Sequence, residues 1–270
     1  MSDGSSSGPL PNLTGEPQPT SAPAPAVGVT WGPVVAIVMT LVVFAVGEFG
    51  AGLLITLVPR LLGWSSLHGN DWLMSVGGQF AYVLLAESLT IALLWWYLRR
   101  HKGVLAGLGF KRWPQWRDAG FVVVGFVVYF ALVAVVSTWA AQHFHVDLSQ
   151  KQDLGFNSVS GGGERLMTFA SLVLLPPFVE ETMFRGFLFG GLRRKLSFPM
   201  AALLVSLLFA SLHLLEGESG LLWVAGIDTF VLSLVLCFVR EKTGNLWAGI
   251  GIHMLKNCVA FLYLYVFVVR

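Results

Sequence analysis

The sequence predicts an all-α protein, a polytopic transmembrane helix bundle of about seven spans. Three observations predict it. Hydrophobic residues fill 55% of the 270 positions and charged residues only 12%, against roughly 25% charged in soluble domains. Mean hydropathy is +0.72. Several apolar stretches exceed the ~20 residues that carry a helix across a hydrocarbon core. A soluble globular domain is thereby excluded. The net charge of +2, from 17 Lys and Arg against 15 Asp and Glu, is small and scattered. No basic run is interleaved with aromatics, so nucleic acid is not a partner. Cys237 and Cys258 fall inside apolar runs and read as small hydrophobes, with no disulfide framework or CxxC site.

Residues 1–30 are rich in Ser, Gly and Pro and hold no Lys or Arg, which reads as a disordered tail. This is not a signal peptide, because the charged n-region is missing and the apolar run that follows is too long. Residues 31–270 form the transmembrane helical domain, with spans bracketed by charge at about 33–58, 72–98, 119–142, 164–192, 199–215, 220–239 and 246–269. The fourth contains Pro176 and Pro177. Two prolines remove two amide donors and crowd the preceding turn, so a broken or kinked helix is expected there. At membrane depth such a break is tolerated only where protein or a wet cavity meets the released carbonyls. Gly47, Gly50, Ala51 and Gly52, and the pair Gly186 and Gly190, mark close helix contacts.

Orientation follows from the basic residues. Arg99, Arg100, Lys102, Lys111, Arg112 and Arg117 form one cluster, Arg193, Arg194 and Lys195 a second, Arg240 and Lys242 a third. Those three loops are expected in the cytoplasm. The opposite side keeps Arg60, Lys151, Arg165 and the terminal Arg270, so seven spans put the N-terminus inside and the C-terminus outside, with a bacterial plasma membrane as the expected location.

Subtracting the loops leaves Glu48, Glu87, Glu180, Glu181, Arg185, His213, Asp228, His253, Lys256 and Asn257 inside spans. Each ionised one costs several kcal/mol at the bilayer centre unless paired or wet. Glu181 and Arg185 are four apart, acid before base, and pair on one helix face. Glu180 is rotated by about 100° from Glu181 and points elsewhere, as suits a general base in a low-dielectric cavity. Phe209 and His213 lie one turn apart, as do His253 and Asn257. Counted from the cytoplasmic edges at 1.5 Å per residue, Glu180 and His213 lie about 20 Å deep, Asn257 about 17 Å and His253 about 11 Å. Helix tilt lets the four share one cavity. Asp228 and Glu87 lie at about 18 Å, so depth permits the site without identifying it.

Glu180-Glu181-Thr182-Met183-Phe184-Arg185, Phe209 to His213, and His253 to Asn257 stand in that order. Together, over about 164–260, they resemble the CAAX-protease and bacteriocin-processing family of intramembrane proteases, whose pattern is Glu-Glu-x-x-x-Arg, Phe-x-x-x-His and His-x-x-x-Asn or Asp. Each motif alone is weak, and three in order on three membrane helices is strong. The resemblance implies an all-helical core that cleaves a peptide bond near the membrane surface. In that mapping Glu180 is the general base and His213 its partner on the water. His253 and Asn257 hold the oxyanion, and Glu181, Arg185 and Phe209 support the site.

The expected partners are the lipid bilayer and a membrane-associated peptide or protein; a prenylated protein fits only a host that makes one. No cofactor is expected, because the zinc-binding HExxH is absent and the resemblance points to a metal-free glutamate mechanism. Glu180, His213 and His253 are the set that would ligate a divalent metal with an open position. Two other function classes compete. One is a non-catalytic membrane scaffold that keeps these residues as interhelical glue. The other is an ion-coupled transporter using Asp228, Lys256, Glu48 and Glu87 as a relay.

Overall fold

A computed structural model describes residues 29–64, 70–150, 152, 154–156, 159–215 and 220–267. Positions 1–28 of the expected tail, together with Lys151 and Arg270, lie outside the described residues. Among the described residues the regular structure is entirely helical. Seven helices carry the bundle: α1 (Pro33–Leu61), α2 (Val76–Leu98), α3 (Trp116–Phe144), α4 (Gly162–Arg193), α5 (Phe198–Leu214), α6 (Trp223–Thr243) and α7 (Trp247–Phe267). Six are long and apolar enough to cross a membrane. The exception is α5, whose 17 residues span about 25 Å, short of the ~30 Å hydrocarbon core. The chain is thus an integral, multi-pass membrane protein with six full-length spans and one shorter apolar helix, at the places where about seven spans were expected.

The helix ends follow local chemistry. Ser75 caps α2 by accepting from the Gly78 amide at 3.1 Å. Asp118, in the first turn of α3, accepts from the Gln115 amide at 2.7 Å and takes a two-pronged grip from Arg112 at 2.7 Å, favourable at a helix N-terminus. Gly244 ends α6 with φ +63°, the left-handed conformation that glycine adopts without strain. The outer face of α3 is apolar and exposed at Val123, Val124, Val127 and Val135, as a helix facing acyl chains must be.

Neighbouring helices pack side by side, α1–α2 and α5–α6 antiparallel and α3–α7 parallel, the last two both starting beside Gly109–Arg112. α1 packs on α2, α5 on α6, and α3 on both α6 and α7, while α4 touches α1, α2 and α7. At the α1–α2 contact Gly47 has no room for a side chain, since a Cβ there would lie 2.1 Å from Thr90 Oγ1 and 3.2 Å from the Ala86 carbonyl. Gly47→Ala is expected to cost about 1–3 kcal/mol by overpacking, read as a lower unfolding temperature of the detergent-solubilised protein, whereas Gly50→Ala, whose Cβ meets Leu89 at 3.5 Å, leaves it nearly unchanged.

The three basic loops gather at one end. The Leu246 amide donates to the Gly109 carbonyl at 3.1 Å, and the Trp247 indole N–H to the Arg112 carbonyl at 2.7 Å. Arg193 grips Glu241 at 2.7 and 3.1 Å, and Arg194 donates to the Thr30 carbonyl at 2.7 Å. Val29 and Trp31 are buried beside them, so packing begins before α1, at the edge of the stretch expected to be a tail. Arg240 is itself buried, donating to the carbonyls of Arg185 and Gly107 at 3.3 and 3.4 Å.

The fourth helix does not break at its prolines. Its backbone stays helical from Gly162 to Arg193 and changes pitch instead, through π-helical turns at Ala170–Leu174 and Glu181–Leu188 on either side of Leu175–Glu180. The Leu175 amide reaches back to the Ala170 carbonyl. Pro176 and Pro177 are the residues whose amides would serve the Leu172 carbonyl by an α or a π hydrogen bond, and proline supplies neither. The Asn257 side chain of α7 supplies the missing donor at 2.8 Å.

Candidate active site

Three helices bring the predicted site residues to one place, and two more stand beside them. Glu180, Glu181 and Arg185 come from α4, Phe209 and His213 from α5, His253 and Asn257 from α7, while α6 and α3 contribute Asp228 and Tyr129. A cavity of about 380 Å³ is lined by Glu180, His213, His253 and Asn257 together with Asp228 and Lys256. Glu180 also borders two further cavities, one shared with His213 and Glu48 and one with Glu48, Tyr82 and Glu87. It therefore stands at their junction, with its side chain 20% exposed and its Oε2 3.8 Å from His253 Nε2.

Beneath it is a sealed polar layer. Glu181 Oε1 accepts from Arg185 at 2.9 Å and from His253 Nδ1 at 3.1 Å, with both side chains of the ion pair 0% exposed. The carboxylate can only accept, which fixes the His253 hydrogen on Nδ1 and turns Nε2 toward Glu180. The pairing of Glu181 with Arg185 is the one expected from their spacing. Its extension to His253 was not legible, because nothing in the sequence gives the rotation of α7 against α4.

Phe209 organises the two imidazoles. Fully buried, its ring lies 4.8 Å from Phe184, 4.7 Å from His213 and 6.1 Å from His253, with the Arg185 guanidinium 4.5 Å above it. The last contact is a cation–π pair that shares the charge of a guanidinium with no water around it. The Phe209 carbonyl accepts from His213 Nδ1 at 3.0 Å. In the neutral ring this leaves the lone pair on Nε2, again a base and not a donor. Asn257 commits one amide hydrogen to Leu172, and a primary amide has a second.

Two further in-span polar couples stand near the site. Lys256 meets Asp228 at 3.0 Å on the cavity wall, and Asp228 also accepts from the Tyr129 hydroxyl, so the couple ties α3, α6 and α7 together. Tyr82 donates to Glu48 at 2.6 Å across α2 and α1. Exchanging the charges, as Asp228→Lys with Lys256→Asp, is expected to recover part of the stability lost by either single change. The coupling energy should be about 0.5–3 kcal/mol for groups in contact, measured by a thermal double-mutant cycle. Among the described residues no group of three or more His, Cys, Asp or Glu side chains placed to hold a metal ion is found; Glu180, His213 and His253 line one cavity.

Comparison with known proteins bears on the same stretch. Residues 162–259 match the family model described as "Type II CAAX prenyl endopeptidase Rce1-like". Over 100 residues the chain is 29% identical to an "Uncharacterized 24.3 kDa protein" of Escherichia coli. That match covers 36% of this chain and 44% of the relative, so the chain spans less than half of that protein's length. No solved structure matches. The segment that carries the glutamate pair, the buried arginine and both cavity histidines is thus the part of the chain that is similar to the Rce1-like, type II CAAX prenyl endopeptidase family.

Proposed function

We propose that the chain is an intramembrane endopeptidase, hydrolysing a peptide bond near the membrane surface through a water activated by Glu180 and His213. The observation that carries this reading is the convergence of Glu180, His213, His253 and Asn257, from three helices, on one cavity inside the segment that matches an endopeptidase family. The Glu180 carboxylate takes a proton from water while His213 Nε2 accepts a second hydrogen bond and turns the water's lone pair toward the scissile carbonyl carbon. As the new C–O bond forms, the proton passes from Glu180 to His253 Nε2, 3.8 Å away. The imidazolium charge is held by Glu181 at Nδ1.

His253 Nε2–H and the second Asn257 amide hydrogen then face the developing oxyanion, a role that the neutral imidazole, lone pair outward, lacks. When the C–N bond breaks, the same proton goes to the departing amine, and the site returns to its starting state. Water has supplied hydroxyl to one product and hydrogen to the other. Side chains of the chain carry every step, and a divalent metal is no part of the proposal.

The substrate on this reading is a membrane-associated peptide or protein. The three basic loops, which share one end of the bundle, lie in the cytoplasm by the positive-inside rule, placing the N-terminus inside and the end of α7 outside a bacterial plasma membrane. The test is a comparison of peptide termini in membranes carrying the wild type or Glu180→Gln. Termini present only with the wild type support the reading, and identical sets overturn it.

A further inference from the structure

The cavity is closed at one end and graded toward the other. Its floor is the layer of Glu181, Phe184, Arg185 and Phe209, each at most 1% exposed, with His253 at 4%. Nothing the size of a peptide passes that layer from the basic end. Exposure rises away from it: the side chains of Glu180, Asp228 and Lys256 keep 20, 22 and 24%. The rim is made by Gln150 and Gln152, beyond the end of α3, with Leu222, buried at 4% exposure just before α6, in the wall beneath them.

These rim segments stand opposite the basic loops. α5 starts at Phe198, beside Arg193–Lys195, and ends at Leu214, whose carbonyl accepts from the Leu222 amide at 2.9 Å. Gln150 closes the same end, its amide reaching the Leu221 carbonyl and the Val224 N–H, each at 3.4 Å. His213 is the penultimate residue of α5, next to this rim and about 22 Å from the basic end. The shortness of α5 is what brings an imidazole of its last turn within reach of the non-basic surface. Among the described residues the rim presents two amides and aliphatic carbon, and its Gln150 hydrogen bonds are long enough to be exchanged for those of a peptide backbone.

We propose that the substrate is an apolar polypeptide segment presented on the non-cytoplasmic side of the membrane, exported or anchored with its cleavage point outside, which reaches Glu180 past Gln150 and Leu222. The inference rests on the peptidase reading and on the cytoplasmic placement of the basic loops. It makes the enzyme a consumer of products of export and not of cytosolic proteins.

Labelling tests it without requiring catalysis. In full-length protein with Cys237→Ala and Cys258→Ser, single cysteines are placed in the cavity wall (Ser137→Cys), on the rim (Gln150→Cys) and, as a control, in the basic loop (Lys242→Cys). Right-side-out and inverted membrane vesicles are then exposed to a membrane-impermeant maleimide. The expected result is that Ser137→Cys and Gln150→Cys are labelled in right-side-out vesicles and protected in inverted ones, with Lys242→Cys the reverse. Labelling of Ser137→Cys from the inverted side overturns the proposal however Lys242→Cys reacts. So does equal reaction from both sides, or no reaction at all in folded protein whose denatured form labels fully. Any of these leaves the peptidase reading standing, because that is judged by the termini lost in Glu180→Gln.

Discussion

Glu180→Gln is expected to lower peptide-bond hydrolysis by about 10²–10⁴-fold, the usual contribution of a general base, while membrane abundance stays at the wild-type level. The two halves of this expectation have separate physical grounds. Glutamine keeps the volume and one carbonyl oxygen of the side chain but cannot take a proton from water. The cavity keeps Glu180 partly exposed, so the substitution disturbs no sealed layer. His213→Ala should behave alike, since that ring lines the cavity and is anchored only through the carbonyl of its own helix. The readout is quantitative profiling of new peptide termini beside immunoblots of membrane content. Unchanged termini with an intact fold would transfer the function to a scaffold role in which these groups hold helices and partners but no reacting atoms.

Arg185→Ala carries the largest expected loss of stability, about 3–5 kcal/mol, the cost of stranding one member of a buried ion pair. Glu181 would keep only the His253 N–H, in a layer that water does not reach. Membrane abundance and unfolding temperature should fall together, and hydrolysis with them. Replacing both partners, as Glu181→Gln with Arg185→Met, is expected to restore much of the stability, because the desolvation of two charges disappears along with their attraction. It should restore less of the activity, since an amide in place of Glu181 no longer holds an imidazolium at His253. A double variant as unstable as Arg185→Ala would show that shape, more than charge, governs that layer.

Much of this fold is written in the chain at the level of composition. Runs of apolar residues long enough for lipid, and basic clusters between them, located six of the spans and the end where three loops meet. The seventh, expected at about 199–215, is found at Phe198–Leu214, a 17-residue helix with Pro199 in its first turn. The site was legible as residue types at helical spacing, Glu181 with Arg185 and Phe209 with His213, because those relations are local. Contacts between helices were not. The bond from His253 to Glu181 depends on how α7 is rotated, and the π turns of α4 have no residue code of their own. One long-range contact was half visible: two consecutive prolines orphan the Leu172 carbonyl by simple counting, yet which side chain would answer it, Asn257, required the packed structure.

The change of pitch before Pro176 sets the phase of everything that follows it. A π turn takes in one residue more than an α ladder would, and one residue is worth about 100° of azimuth. Were Ala170–Leu174 wound at α pitch without losing a residue, Glu180 would arrive where Glu181 now stands, whereas deleting one position there lets the turn close with both acids left in place. The acid that lines the cavity would be turned into the sealed layer, and Glu181 would be carried out of it by the same rotation. Which glutamate faces the cavity is therefore decided several residues upstream, by helical phase rather than by the identity of either acid.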